Sequence, residues 1–236
     1  SSAESGMSWG PMDSSKGWGI SFNSSHNSWM WKRGRGFDVV PWDGTGANNT
    51  LNHSLGKTPE MIWAKARSES QSWLVFHKGL NSGTTPWNWY VTLDGTGAEA
   101  NWAAWVQAPT STQFSIISNW SANSQNYIAM LFASVEGISS VGSYTGNGST
   151  TGPTITTGFS PRFILLKDID HGGTNWNLLD TLRGLSAGND TRLSLNDPSG
   201  PGTGDFIDPS STGFQLVTDW DQFNGNGAKY IYYAHA

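Results

Sequence analysis

The stretch SYTGNGSTTGPTITTGFSPRFILLK at Ser143–Lys167 decides how the chain is organised, because its pattern occurs a second time. The second copy is WDGTGANNTLNHSLGKTPEMIWAK at Trp42–Lys65, and both copies lead through glycines to a short apolar run headed by proline. With one shift of 102 residues, the matched pairs are Gly44 with Gly146, Gly46 with Gly148, Pro59 with Pro161, and Lys65 with Lys167. A common spacing in one order is typical of an internal repeat.

The repeat continues to the end of the chain. APTSTQFSI at Ala108–Ile116 matches DPSSTGFQL at Asp208–Leu216, and NYIAMLFA at Asn126–Ala133 matches KYIYYAHA at Lys229–Ala236. We therefore predict a tandem duplication, with repeat 1 over residues 37–137 and repeat 2 over residues 138–236.

Residues 1–36 are too short for a third unit. KGWGISF at Lys16–Phe22 and NSWMWKR at Asn27–Arg33 resemble the last two strands of a unit, so this N-terminal arm is predicted to carry the end of a preceding unit. An ordinary edge strand is the alternative that the sequence leaves open.

Short strands separated by turn residues fill each repeat. The proline-headed runs PEMIWAK and PRFILLK are each followed by a second apolar run, which predicts a hairpin. QFSIIS and NYIAMLFA are predicted to pair in the same way. No sustained 3.6-residue apolar period is present, so the fold class is predicted as all-β, with two tandem antiparallel β-sandwich or jelly-roll units.

The composition of the 236 residues excludes several classes of protein. Only 13% of the residues are charged, against about 25% in typical soluble domains, and the net charge is −5 without a basic stripe, so nucleic acid is not an expected partner. The chain has no apolar run of about 18 residues, so membrane insertion is not expected. The absence of cysteine favours folding in the cytoplasm, and the start at Ser1 without an initiator methionine indicates a processed or excised product.

Catalytic motifs are not indicated. GKT at Gly56–Thr58 is followed by a proline-headed strand where a phosphate-binding loop would require a helix, so no nucleotide cofactor is expected. Asp168 and Asp170 form a carboxylate pair without a third acid and are weak candidates for a metal site. We expect no catalytic residue, no cofactor and no enzymatic activity.

Tryptophan is the remaining functional signal, since the chain has 14 of them. Core packing, an assembly interface and contact with sugar rings all remain open as interpretations of those in loops. The candidate residues for a carbohydrate site or an interface are Trp87, Trp89, Trp102, Trp105, Trp120, Trp220 and Asp221.

The matched segments YTGNGS, ITTGFSPRFILLK, NWNLLDTLRG, STGFQL and GAKYIYYAHA resemble a repeat found in proteins of tailed bacteriophages, especially marine and cyanobacterial ones. The resemblance covers residues 28–236 and implies a concanavalin-like β-sandwich in a long fibre or appendage chain. It implies a non-enzymatic virion structural protein in a tail fibre, appendage or capsid decoration, folded in the host cytoplasm and displayed on the virion surface. The expected partners are other virion proteins, further copies of the chain and a cell-surface glycan. A lectin-like receptor-binding module and an extracellular filament subunit are the alternatives.

Overall fold

The computed structural model describes residues 31–236, together with strands β1 (Met12–Asp13) and β2 (Gly17–Trp18), which pair antiparallel. Most of the predicted N-terminal strands at Lys16–Phe22 and Asn27–Arg33 lies outside the described residues. The two repeats follow, each as one β-sandwich unit, so the predicted fold class is confirmed.

The first unit has a six-stranded major sheet and a two-stranded minor sheet, both antiparallel. Its strands are β3 (Phe37–Asp43), β4 (Asn49–Asn52), β5 (Met61–Ala66), β6 (Leu74–His77), β7 (Trp89–Thr92), β8 (Ala100–Asn101), β9 (Gln113–Ile116) and β10 (Asn126–Phe132). The major sheet has the order β3-β10-β5-β6-β7-β8, and β4 pairs with β9. Three short 3-10 segments lie at Leu80–Gly83, Pro86–Asn88 and Ser118–Trp120.

The second unit repeats this arrangement and adds one strand to the minor sheet. Its elements are β11 (Ser139–Thr145), β12 (Thr154–Thr156), β13 (Phe163–Asp168), β14 (Asn177–Asp180), β15 (Asp190–Ser194), β16 (Gly202–Gly204), β17 (Ile207–Ser210), β18 (Gly213–Leu216), the helix α1 (Asp221–Asn224) and β19 (Lys229–His235). The major sheet has the order β11-β19-β13-β14-β15-β16, which is the order of the first unit strand for strand. The minor sheet has the order β12-β18-β17.

Side-chain alternation along the strands builds three cores in series. In β5, Ile62 and Ala64 face the minor sheet of their own unit, while Met61 and Trp63 face the other unit. In β13, Leu165 likewise faces the other unit. The two major sheets therefore pack face to face, and the layers follow in the order minor, major, major, minor.

We call the contact between the two major sheets the joint. Hydrogen bonds also cross it. The indole Nε1–H of Trp176 donates to the main-chain oxygen of Thr92 at 2.8 Å. The main-chain N–H of Gly173 donates to the oxygen of Thr96, and that of Glu99 to the oxygen of Ile169, both at 2.8 Å. With an apolar core between the sheets and polar contacts at its edge, the units form one body.

One predicted pairing is wrong. QFSIIS and NYIAMLFA do not form a hairpin, because β9 pairs with β4 in the minor sheet whereas β10 lies between β3 and β5 in the major sheet. The connection after β9 carries the chain from one layer of the sandwich to the other. Two strands that are consecutive in sequence and equally apolar can face each other across a core instead of pairing.

The repeated glycines fasten the start of each unit to its last loop. A Cβ on Gly44 would lie 1.7 Å from the main-chain oxygen of Ala122, and one on Gly146 would lie 2.3 Å from that of Gly225. Gly148 has a φ of +63°, a left-handed conformation that favours glycine. Close backbone approach and turn conformation explain these glycines without a phosphate.

Candidate functional site

A polar group of side chains lies on the inner face of the second major sheet, beside α1. We call it the arginine cluster, and its members are Asn175, Asn177, Arg192, Ser194, Asn196 and Gln222. Asn177 pairs with Ser194 and Leu179 pairs with Arg192 in the β14–β15 ladder. Residues opposite each other in a ladder share a face, so Arg192 and Asn177 point towards the interior of the unit together with the core residue Leu179.

The guanidinium of Arg192 is held on several sides. Its Nη1 donates to the hydroxyl of Ser194 at 2.9 Å and to Oδ1 of Asn177 at 3.3 Å. Its Cζ lies 4.8 Å from the ring centroid of Trp220, within the range of a cation–π contact. A Cβ on Gly202 would lie 3.2 Å from Nε, so the backbone of β16 packs closely against this side of the guanidinium. The side chain is thereby fixed in one orientation.

The remaining members connect Arg192 to α1 through amide groups. Oε1 of Gln222 accepts from the main-chain N–H of Asn175 and from Nδ2 of Asn177, both at 3.4 Å. Oδ1 of Asn175 accepts from Nδ2 of Asn196 at 2.9 Å. The amide oxygens of the cluster are thus occupied by internal hydrogen bonds.

Unused hydrogen-bond donors remain at the surface of the cluster. Within residues 31–236, neither Nη2 of Arg192 nor Nε2 of Gln222 has a hydrogen-bond partner, and neither atom is completely buried. Nε of Arg192 also lacks a partner but is buried. Burial lowers the pKa of the Arg192 side chain, and the charge of Asp197 acts in the opposite direction. In the described chain no carboxylate forms an ion pair with this guanidinium.

The equivalent place in the first unit is apolar. By ladder position, Leu74 corresponds to Asn177 and Tyr90 corresponds to Arg192. Leu74 is a buried residue of the first unit's core, and Tyr90 packs against that core. The same fold position therefore holds a hydrophobic contact in one unit and the arginine cluster in the other.

The structure separates the predicted tryptophan candidates into two groups. Trp105 and Trp120 are buried in the core of the first unit, with exposed fractions of 2% and 6%, so neither presents a surface for a ligand. Trp102 and Trp220 are exposed, at 41% and 36%.

Two further candidates are half-buried and lie on opposite faces of the first major sheet. Trp87 packs against the core of the first unit, and Trp89 packs against the core between the units. Of all the tryptophan candidates, the structure brings only Trp220 to the arginine cluster.

The predicted acids serve the loops in which they lie. Asp168 is buried, and its Oδ1 accepts from the main-chain N–H groups of Asp170 and His171 at 2.8 and 3.1 Å. Asp170 accepts from the main-chain N–H of Lys229 at 3.0 Å. Asp221 is exposed in the first turn of α1. Among the described residues no three His, Cys, Asp or Glu side chains are grouped so that they could hold a metal ion.

Lys167, at the end of the repeated stretch, is fully buried. Its Nζ donates to the hydroxyl of Thr174 and to the main-chain oxygen of Asp168, both at 2.7 Å. Burial lowers its pKa to about 8, and the charge of Asp168 opposes that change. The lysine closes the loop between β13 and β14 and faces no open site.

A cleft of about 290 Å³ opens between the two major sheets. Trp31, Trp63 and Trp73 line it together with one carboxylate, that of Asp94. Asp94 accepts a hydrogen bond from the main-chain N–H of Trp73 at 3.0 Å, which occupies one of its oxygens. The cleft is largely apolar and belongs to the packing of the joint.

One family model matches residues 18–236, under the description "Domain of unknown function (DUF7483)". The chain belongs to this family. The matched residues include both sandwiches. No curated protein and no solved structure matches the chain. No helix in the described part is long and apolar enough to span a membrane.

Sequence reasoning did not find the arginine cluster. Arg192, Asn177 and Gln222 match no motif, and they are far apart in sequence. The available signal was the comparison of the repeats, since NWNLLD has asparagine where SWLVFH has the apolar Leu74. A polar residue that replaces a core residue in one copy indicates a role that the fold does not require.

Proposed function

We propose that the chain is a non-enzymatic structural component of a tailed-bacteriophage virion, exposed in a tail fibre, an appendage or a capsid decoration. The observation that supports this proposal is the joint between the units, where two major sheets bury each other through a shared apolar core. Fused sandwiches form a stiff block, and a stiff block suits a particle surface that must keep its shape outside the cell.

The aromatic content of the joint supports the same function. Phe132 packs against Trp63 with ring centroids 4.7 Å apart and against Tyr233 of the other unit at 5.0 Å. Aromatic pairs add about 0.5–1.5 kcal/mol each beyond the area they bury. Such a joint holds the units together without disulfides, in keeping with a chain that has no cysteine.

The test is the presence of the chain in particles. Virions of the phage that encodes it are purified and analysed by mass spectrometry, and an antibody to the chain is applied to intact particles for electron microscopy. The chain is expected at a fixed copy number on the surface, in contact with other virion proteins and with further copies of itself. Particles without the chain, together with a monomeric purified protein, would contradict the proposal. Filaments of purified protein without any virion association would favour the extracellular-filament alternative.

A second candidate function is carbohydrate binding, as in the receptor-binding end of a fibre. It is supported by the exposed ring of Trp220 beside the unused donors of Arg192 and Gln222. Sugar sites combine an apolar ring face with a few placed polar groups. A glycan array probed with the full chain tests this function, and an array without any bound glycan would remove it.

A further inference from the structure

Two strands of equal length form corresponding edges of the two major sheets. β3 is the first strand of the first unit and β11 is the first strand of the second, and each has seven residues. A sheet edge presents main-chain N–H and C=O groups with which a strand of another chain can pair. Because the units are repeats of each other, the two edges can be compared residue by residue.

Alternate residues of β11 turn their main-chain groups away from β19. The main-chain N–H of Ala236 donates to the oxygen of Ile138, and that of Gly146 donates to the oxygen of Ala228. Both pairs continue the β11–β19 ladder, so the even-numbered residues of β11 form its hydrogen bonds. The N–H and C=O groups of the odd-numbered residues therefore point outwards, along the edge of the sheet.

At the start of β11 the outward groups have partners inside the chain. Ser139 and Val135 exchange main-chain hydrogen bonds of 2.9 Å in both directions. The main-chain N–H of Val141 donates to the hydroxyl of Ser134, also at 2.9 Å. This half of the edge is closed by the segment that precedes the strand.

The second half of the edge is open. Ser143 and Thr145 are exposed, and within residues 31–236 their outward N–H and C=O groups have no hydrogen-bond partner. Between them, the ring of Tyr144 stacks on Tyr230 of β19 at 4.8 Å, so it lies over its own sheet and leaves the edge clear. Two N–H and two C=O groups are thus available to an added strand.

The matched end of β3 is protected against such pairing. By sequence and by ladder position, Pro41 corresponds to Ser143 and Asp43 corresponds to Thr145. Proline has no N–H to donate, and charged residues and proline on an edge strand are common means of preventing edge-to-edge association. The second unit lacks both, so its edge is open at the place where the first unit's edge is blocked.

We propose that the second half of β11 pairs antiparallel with the same segment of a second copy of the chain, about a two-fold axis. Ser143 of each copy then lies opposite Thr145 of the other, and every free N–H meets a free C=O. A register shifted in either direction would need the N–H of Val141 or of Asn147, and both already donate to side chains of the chain. The two second-unit major sheets would join into one continuous sheet.

A second copy fits this edge better than another strand because β11 complements itself. The strand has no charged residue, so two copies of it meet without repulsion although the net charge of the chain is −5. Apart from β3 and β11, the edge strands of the described sheets have two to four residues. A head-to-tail assembly would need a second open edge, which β3 does not offer, so the contact closes as a symmetric dimer.

Sedimentation of the purified full chain over a concentration series tests the dimer. We expect a monomer–dimer equilibrium. Ser143→Pro introduces the residue of the first unit and removes an outward N–H without affecting the β19 ladder, so it is expected to weaken the dimer about tenfold or more. Thr145→Asp introduces the matched charge and is expected to act in the same direction.

Thr154→Pro is the matched control for these variants. Thr154 is an exposed residue of β12, at the edge of the minor sheet, and its N–H points away from β18. Its replacement also removes an outward N–H, and an unchanged dimer is expected. Circular dichroism and thermal unfolding establish that each variant is folded.

The register is tested by disulfide cross-linking, since the chain has no cysteine of its own. Ser143→Cys and Thr145→Cys are prepared as separate proteins. Residues opposite each other in a hydrogen-bonded antiparallel pair have Cα atoms about 5.5 Å apart, within the range of a disulfide. We expect cross-linked dimers when the two proteins are mixed and oxidised. Neither protein alone should cross-link, because residues of the same number would lie roughly 9 Å apart, beyond that range.

Three outcomes overturn the proposal. The first is a wild-type chain that remains monomeric at every concentration together with a mixture that does not cross-link. The second is a folded Ser143→Pro protein with the dimer affinity of wild type. The third is cross-linking of either single variant as efficiently as the mixture, which would place the contact elsewhere. The virion function is decided separately by mass spectrometry of particles, so the dimer and that function can fail independently.

Discussion

His77 in β6 and Tyr232 in β19 join the two sandwiches by a buried hydrogen bond of 3.2 Å between Nε2 of the imidazole and the main-chain oxygen. The main-chain N–H of Gly79 donates to Nδ1 of the same ring at 2.9 Å. Because Nδ1 accepts a hydrogen bond and Nε2 faces a carbonyl oxygen, the ring is fixed as the neutral tautomer with its proton on Nε2.

The first prediction concerns stability below neutral pH. Burial lowers the pKa of His77 from 6.5 to about 4. A base with a lower pKa in the folded state takes up a proton on unfolding, so the free energy of unfolding falls as pH decreases through this window and is fully retained above it. The loss attributable to His77 is expected to reach about 3 kcal/mol at pH 4.

Denaturant titrations between pH 7.5 and pH 4 measure this effect. His77→Gln is the control, since its amide can donate to the Tyr232 oxygen and accept from Gly79 but does not titrate. The difference between the two proteins isolates His77 from the other histidines and the acids. If the free energy of unfolding changed with pH in the same way in wild type and variant, His77 would not be the source of the pH dependence.

The second prediction concerns Trp176, whose indole crosses the joint to Thr92. Trp176→Phe removes the Nε1–H donor and leaves the Thr92 oxygen without its partner, at an expected cost of about 1–3 kcal/mol. Trp102→Phe, at an exposed position, is expected to change stability by less than about 0.5 kcal/mol. Thermal unfolding and denaturant titration check the pair. Equal effects in the two variants would contradict the role of Trp176 in the joint.

The third prediction separates close backbone approach from turn conformation. Gly146→Ala places a methyl group 2.3 Å from the main-chain oxygen of Gly225, which cannot move away without displacing its loop. We expect a loss of about 2–3 kcal/mol or more, the range of overpacked sites. Gly97→Ala is the control, since no atom lies within 4 Å of the added Cβ. A stable Gly146→Ala protein would show that the loop is not fastened there.

The fourth prediction tests whether the arginine cluster acts as a unit. Asn177→Leu and Arg192→Tyr introduce the residues of the first unit. Each single substitution removes the hydrogen bond between the two side chains and leaves the remaining polar group without that partner. The double variant removes both sides, so its loss of stability should be smaller than the sum, with a coupling of about 0.5–3 kcal/mol. Denaturant titrations of the four proteins give this coupling. Additive losses would mean that the two side chains are energetically independent.

The sequence carried enough information for the fold because the duplication supplied two copies of every signal. The proline-headed runs became β5 and β13, and each is followed by the strand with which it pairs. The pairing of β9 with β4 was missed because apolar alternation shows that a strand has a buried face but does not identify the layer in which it lies. Three-dimensional packing makes that choice.

The candidate site was harder to predict from the sequence, because a residue type does not show whether a loop side chain is buried. Tryptophan in a polar loop left core packing, an interface and a sugar contact open, and the structure places Trp105 and Trp120 in the interior of the first unit. Within the described residues the minor sheet of that unit has two strands, and both indoles belong to the core that it covers. Trp220 stays exposed in the second unit, where the minor sheet has a third strand, β17.

The layer order places the two minor sheets on opposite outer sides of the molecule. Packed sheets lie about 10 Å apart, so the outer minor sheets are separated by roughly 30 Å and face in opposite directions. The shared apolar core between the major sheets opposes rotation of one unit against the other. A ligand held at one outer side and a neighbour held at the other would therefore be kept in constant register, as by a rigid cross-bridge.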